Sequence, residues 1–277
     1  MTIKTGELQQ QFSGFFNTPH LFSNNINGMV PHLTLRNKTS VFQGNAIKNI
    51  RLGQRVERFV SSELLQYDNV TILAENPQIK RDKITIGELD CLFLKDETPI
   101  HLEIQFKYYL FDPNLGKTEI DHCIGPMRRD SLNEKLTKLK NKQLPLLYAP
   151  ETKPLLDSLN LDAKDFKQRI YFKAQIFMPF GKNFKLKTLN PDCVYGFYFN
   201  YQDLYKFKDY KFHIPKKTDW LLDLETNVNW KTYDVILPEL NVFESEGYSP
   251  MLWIKHPKGL LNKCFVVTND NLSIEDI

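Results

Sequence analysis

Nine consecutive residues constrain this chain more than any others. Ile100-His101-Leu102-Glu103-Ile104-Gln105-Phe106-Lys107-Tyr108 alternates strictly between apolar and polar. Side chains on a β-strand point to opposite faces with period two, so the run predicts a strand with two unlike sides. Ile100, Leu102, Ile104, Phe106 and Tyr108 form an apolar face suited to a core. His101, Glu103, Gln105 and Lys107 line the other, with about 7 Å between alternate residues. A chain holding such a strand needs partner strands and a covering layer.

The flanking pattern supplies both. A helix is predicted over 48–66, with Leu52, Val56, Phe59, Val60 and Leu64 on one stripe. Extended runs follow at Val70–Glu75, Ile84–Leu94 and Ile100–Leu110, the last two separated by a polar turn from Lys95 to Pro99. A basic helix is predicted over 129–143, with Leu132, Leu136 and Leu139 on one face and Pro145 just beyond it. Strands are expected at Ile170–Phe180 and Cys193–Asn200. Helix, three strands, helix, strand predicts an α/β fold around a mixed sheet, with a C-terminal elaboration. Residues 1–45 show little periodicity and read as a leader packed through its aromatics. Trp220, Trp230 and Trp253 are expected in the core. Tyr205–Phe212 interleaves bases with aromatics and reads as an amphipathic edge strand rather than a base-stacking ribbon.

Composition narrows the classes. With 277 residues, 42% hydrophobic and 25% charged, the chain is neither disordered nor collagen-like. No stretch approaches the ~20 apolar residues of a membrane span, and the N-terminus has no signal-peptide core. Cys91, Cys123, Cys193 and Cys264 are scattered, which fits reduced thiols and a cytoplasmic location. Net charge is +3, but residues 219–277 hold ten acids against four bases. The remainder is therefore basic, and a polyanion is expected to meet it there.

Candidate chemistry gathers at the alternating strand. Gly87-Glu88-Leu89-Asp90 precedes it, and pairing as a hairpin sets Asp90 beside Glu103. Two close carboxylates need a proton or a cation between them, and a hard divalent metal is the usual answer. Glu57 lies at the edge of the helical stripe and adds a third carboxylate. Gly53, four residues before it, is expected to let another element approach closely. Glu88 is expected to serve strand packing. A solvent-facing polar strand and an exposed helix residue are the plain structural alternatives at these positions. The helix from Arg128 to Lys142 carries six bases against two acids, so Arg128, Arg129 and Lys135 are candidates for tracking a phosphate backbone. Gln143 lies on the leucine stripe and needs a polar partner, which is expected in the active site or on the nucleic acid; the plain alternative is that it caps the helix end.

Gly53-x-x-x-Glu57, Gly87-Glu88-Leu89-Asp90 and Glu103-Ile104-Gln105-Phe106-Lys107 together resemble the PD-(D/E)XK nuclease superfamily, nearest to archaeal Holliday-junction resolvases. Over most of its length the chain resembles domain-of-unknown-function family 1853, a family of bacterial proteins. Ile124–Leu132, Lys135 with Gln143–Leu146, Phe177-Met178-Pro179 and Cys264–Val267 carry that likeness.

The resemblance implies a restriction-endonuclease-like mixed sheet flanked by helices, with a C-terminal α+β elaboration. It implies one domain over 1–277, with the nuclease-like core at 46–200 and the elaboration at 201–277. It also implies a nuclease acting on DNA with Mg²⁺ or Mn²⁺. Asp90, Glu103 and Glu57 would hold the metal, Lys107 would position the nucleophile, and Gln105 would orient a ligand or water. The superfamily places lysine where this chain has Gln105. Either Gln105-x-Lys107 is a variant of the motif, or the lysine is displaced by one pleat. The alternative is a catalytically inactive member of the fold that binds nucleic acid or protein.

Overall fold

A computed structural model describes residues 5–23, 28–35, 41–44 and 50–268. The expected helix start at Lys48 lies outside these. Among these residues eleven strands are present, and nine form one mixed sheet. In chain order the strands are β1 (Val70–Glu75), β2 (Gln78–Arg81), β3 (Ile84–Glu88), β4 (Cys91–Lys95), β5 (Thr98–Phe111), β6 (Cys123–Ile124), β7 (Lys167–Pro179), β8 (Val194–Asn200), β9 (Lys211–His213), β10 (Met251–Lys255) and β11 (Leu261–Val267). The large sheet runs β1-β4-β5-β7-β8-β11-β10-β9, with β6 paired to β5, while β2 and β3 form a separate two-stranded sheet. The α-helices are α1 (Thr5–Asn17), α2 (Leu52–Leu64), α3 (Leu132–Lys138), α4 (Leu144–Leu146), α5 (Lys153–Ser158) and α6 (Tyr233–Ser245).

The described chain forms two compact units. The first comprises 1–107, 133–174 and 188–190; the second takes the rest. Strands β5 and β7 each contribute residues to both.

In the first unit, an aromatic cluster joins the N-terminal helices to the sheet. Phe12 meets Phe59 edge-on at 5.3 Å, and Phe15 meets Phe59, Phe106 and Tyr171 at 5.5, 5.9 and 6.1 Å. Buried Leu8, Gln11, Phe12 and Phe15 recur at helical spacing, so the supposed aperiodic leader contains a helix. The expected stripe on α2 is buried from Val56 to Leu64. Phe106 puts the apolar side of β5 under these helices. The polar side is covered too, by the segment that follows α3. A second core, of Ile79, Leu89, Leu92, Leu147, Leu156 and Phe166, fills that layer.

Two expectations about strands change. Ile84–Leu94 is not one strand. Its first half folds back on β2, with Ile84 71% exposed, and only Cys91–Lys95 joins β1 and β5. Leu89 is buried and its N–H goes to the Pro77 carbonyl, so the chain turns inward there. The turn from β4 to β5 is the two-residue Asp96-Glu97, both left-handed, as tight hairpins require. Asn69 Nδ2 donates to Asp96 Oδ1 at 2.8 Å and steadies it without glycine.

In the second unit, α6 packs on the strands through Ile236 and Leu240, against Phe199, Phe212, Leu252, Ile254 and Val266. Strands β8 and β11 run parallel and touch at Gly196, where a Cβ would stand 2.0 Å from the Lys263 carbonyl oxygen. Tyr205–Phe212 is not an edge strand. Tyr201–Phe207 winds as a 3₁₀ helix that buries Leu204 and Phe207, and only Lys211–His213 is extended. Trp220 and Trp253 are buried, while Trp230 is half-buried and donates to the Thr226 carbonyl.

Candidate acidic site on the β4–β5 hairpin

Register brings the central pair together. Cys91 pairs with Leu102, so the next positions outward are Asp90 and Glu103. Asp90 sits at the joint just ahead of β4, and its Oδ2 accepts the Ile104 N–H at 2.7 Å. Glu103 is its neighbour across the hairpin, and the charge of each carboxyl is felt by the other.

Glu103 is fully buried and held from two sides. Its Oε1 lies 3.0 Å from His101 Nε2, and its Oε2 accepts from Gln143 Nε2 at 2.5 Å. Gln168 Nε2 lies 2.9 Å from His101 Nδ1 and also donates to the Leu144 carbonyl at 2.6 Å. That carbonyl fixes the amide of Gln168, so His101 Nδ1 accepts and Nε2 carries the proton donated to Glu103. Behind Gln143, Lys135 Nζ donates to Gln143 Oε1 at 3.0 Å. The line from Lys135 through Gln143 to Glu103 crosses from helix to sheet.

A π-helical turn at Leu139–Gln143, between α3 and α4, produces this crossing. It adds a residue to the helical turn and rotates the later residues around the axis. Leu139 and Leu144 are buried to either side, and Gln143 projects to Glu103.

Burial and mutual repulsion set the charges. The Asp90 carboxyl is pushed up to about 8, first by burial and then by Glu103. Glu103 is pushed up to about 7 by burial, against the pull of Lys135. Burial lowers His101 to about 4, so its imidazole is neutral. Lys135 is lowered to about 8 by burial and by the charges of Lys107 and Lys138. Both shifts favour retention of a proton by the acidic pair near neutral pH.

The family profile of Domain of unknown function (DUF1853) matches residues 32–253, most of the chain. The chain belongs to this family. No curated protein and no solved structure matches it.

In this DUF1853 chain the remaining candidates divide. Glu57 accepts from Asn76 Nδ2 at 2.7 Å, and burial raises its pKa, with Glu88 and Glu75 adding to the rise. Its charge is felt at Asp90. Gly53 is exposed, and a Cβ there would meet nothing within 4 Å, so among the described residues no other element approaches it closely, contrary to the expectation. Gln105 is 8% exposed beside Glu103 on the polar face of β5, and Lys107 is half-buried further along.

Arg128 and Arg129 are not on the helix. Arg128 is left-handed in a turn closed by Gly125 N–H to the Asp130 carbonyl, so α3 starts only at Leu132. Both arginines belong to the second unit, where Arg128 pairs with Asp112 at 3.0 Å. Sequence reasoning missed Gln168 and Asn76, which carry no motif. It placed His101 on the right face but gave it no role.

Among the described residues, no group of three or more His, Cys, Asp or Glu is arranged to hold a metal ion. Of the three carboxylates the resemblance offers, register sets Asp90 and Glu103 side by side, and these two would be the donors of a cation held there. Two hard carboxylate oxygens in want of positive charge fit Mg²⁺ or Mn²⁺, which commonly take one or two carboxylates and complete their shell with water. Among the described residues no helix is long and apolar enough to cross a membrane.

Proposed function

We propose that this DUF1853 protein is a divalent-metal-dependent nuclease that hydrolyses DNA phosphodiesters, built on a PD-(D/E)XK-like core. The observation that carries this reading is the buried pair Asp90 and Glu103, set side by side by neighbouring strands with both pKa values driven up. Carboxylates perturbed by burial and by a like charge cluster at sites of chemistry. The order of elements along the chain is compatible with it: helix α2, with Glu57, precedes the β4–β5 hairpin that carries Asp90 and Glu103, as the resemblance implies.

Asp90 and Glu103 would hold the cation. Bound there, it would supply Lewis-acid polarisation of a phosphoryl oxygen and a water of lowered pKa. His101 and Gln143 fix the two oxygens of Glu103, so its carboxylate is oriented before anything binds. In the overall reaction a water oxygen bonds to phosphorus, one ester P–O bond breaks, and the departing oxygen leaves as an alcohol with a proton from that water.

The test is cleavage of linear, nicked and branched DNA with Mg²⁺ or Mn²⁺. The wild type is expected to cleave, and Asp90→Asn and Glu103→Gln to fall at least 100-fold. Chelator is expected to abolish the activity. Equal rates in all three proteins would remove the mechanism. Gln105, standing where the resemblance asks for lysine, favours a second reading: a non-catalytic member that binds nucleic acid. Salt-dependent DNA binding without cleavage, indifferent to chelator, would select it.

A further inference from the structure

Two lysines accompany the acidic pair, and they come from different elements. Lys107 is on β5, four residues beyond Glu103, or about 13 Å along the strand. Lys135 is on α3 and reaches Glu103 through a single amide: Nζ to Gln143 Oε1 at 3.0 Å, and Gln143 Nε2 to Glu103 Oε2 at 2.5 Å. We propose that Lys135, from the helix, supplies the ammonium that faces the scissile phosphodiester, in place of the strand lysine that is absent at Gln105. This rests on the nuclease reading above and names the cation that the reading leaves open.

Three observations converge on it. Lys135 is half-buried, and its ammonium is tied to the Gln143 amide oxygen beside Glu103. The amide that tethers it also orients Glu103, so the ammonium and the carboxylate keep a set spacing. Its charge is felt by both carboxyls, since Lys135 lowers the pKa of Asp90 and of Glu103. An ammonium held there donates to a non-bridging phosphate oxygen, where negative charge accumulates as water adds. Lys107 is a neighbouring positive charge that makes Lys135 a readier proton donor.

The experiment compares Lys135→Met, Lys135→Arg and Lys107→Met with the wild type in single-turnover DNA cleavage. In parallel, NMR of ¹³C-methylated lysines follows Lys135 itself. Lys135→Met is expected to lose at least 100-fold in rate with DNA affinity within about threefold, and Lys107→Met to lose far less. Lys135→Arg is expected to recover part of the rate. The methylated Lys135 is expected to titrate below an ordinary lysine. That titration should move up in Lys107→Met and down in Glu103→Gln, and its signal should shift when a short DNA duplex is added.

A wild-type rate in Lys135→Met, or a larger loss in Lys107→Met, would overturn the assignment and leave the nuclease reading intact. If no protein cleaves DNA, the nuclease reading falls and NMR decides the lysine. A Lys135 signal unmoved by Glu103→Gln and by the duplex would overturn the assignment. A signal that responds to both would retain Lys135 as the phosphate-facing cation of a binding site.

Discussion

At the scale of residues, the site is defined by Asp90 and the buried Glu103, side by side on neighbouring stretches of chain. Asp90 has its folded-state pKa at about 8 against an ordinary 3.8. The folded chain therefore holds this proton longer than the unfolded chain, and stability from the group falls as pH rises through that interval. Asp90→Asn keeps an acceptor for the Ile104 N–H and removes the charge. It is expected to be more stable than the wild type at pH 9 by upward of about 1 kcal/mol and to match it near pH 4. Thermal unfolding by calorimetry at both pH values checks this; a difference independent of pH would refute it. His101 acts in the opposite sense. Its pKa is lowered to about 4, so the stability it gives is present above its unfolded value and is lost as pH falls through 6.5 toward 4. Comparing variant with wild type at each pH separates the two.

At the scale of elements, legibility in the sequence follows locality. The strand Thr98–Phe111 was readable because its period of two is written in consecutive residues. The split at Leu89-Asp90 was not, because Ile84, Thr85 and Ile86 suit a strand whichever sheet they join. What separates them from Cys91 is the burial of Leu89, a tertiary fact. The helix α1 was hidden because its buried face mixes Gln11 with aromatics in a run of polar residues. The stripe position of Gln143 announced that it needed a partner. That the partner is Glu103, forty residues away, depends on the π-helical turn, which no periodicity signals. Deleting Lys140 is expected to restore α-helical winding and to turn Gln143 by about 100° around the axis. Circular dichroism should stay near wild type while Mn²⁺ affinity, read by calorimetric titration, weakens at least tenfold. Unchanged affinity would show that Gln143 does not orient Glu103. On α1, Phe12→Ala is expected to cost about 3–5 kcal/mol, because Phe12 is wholly buried against Phe59 and Phe42. Urea unfolding measures that loss.

At the scale of the molecule, the two units are interleaved along the chain. The first draws on 1–107 and returns for 133–174, which brings Gln143, Gln168 and Tyr171. A fragment ending at Lys107 would keep Asp90 and Glu103 but lose the segment that buries and orients them. It is expected to lack a dispersed amide NMR spectrum, whereas a folded fragment would show that the helical cover is dispensable. The family match spans 32–253 and so takes residues from both units. The basic balance of residues 1–218 predicts that any DNA affinity drops steeply with salt. Binding measured between 50 and 200 mM salt, at roughly constant pH, tests this.

The four cysteines carry a practical consequence. Cys91, Cys123, Cys193 and Cys264 are all free and buried, and burial pushes the thiols of Cys91, Cys123 and Cys264 up, Cys91 to about 12. A thiol-reactive dye should therefore leave the native molecule untouched and label it only as it opens. Cys91 belongs to one unit and the other three to the second, so the order of labelling is a clock, already installed in the chain, that times which unit comes apart first.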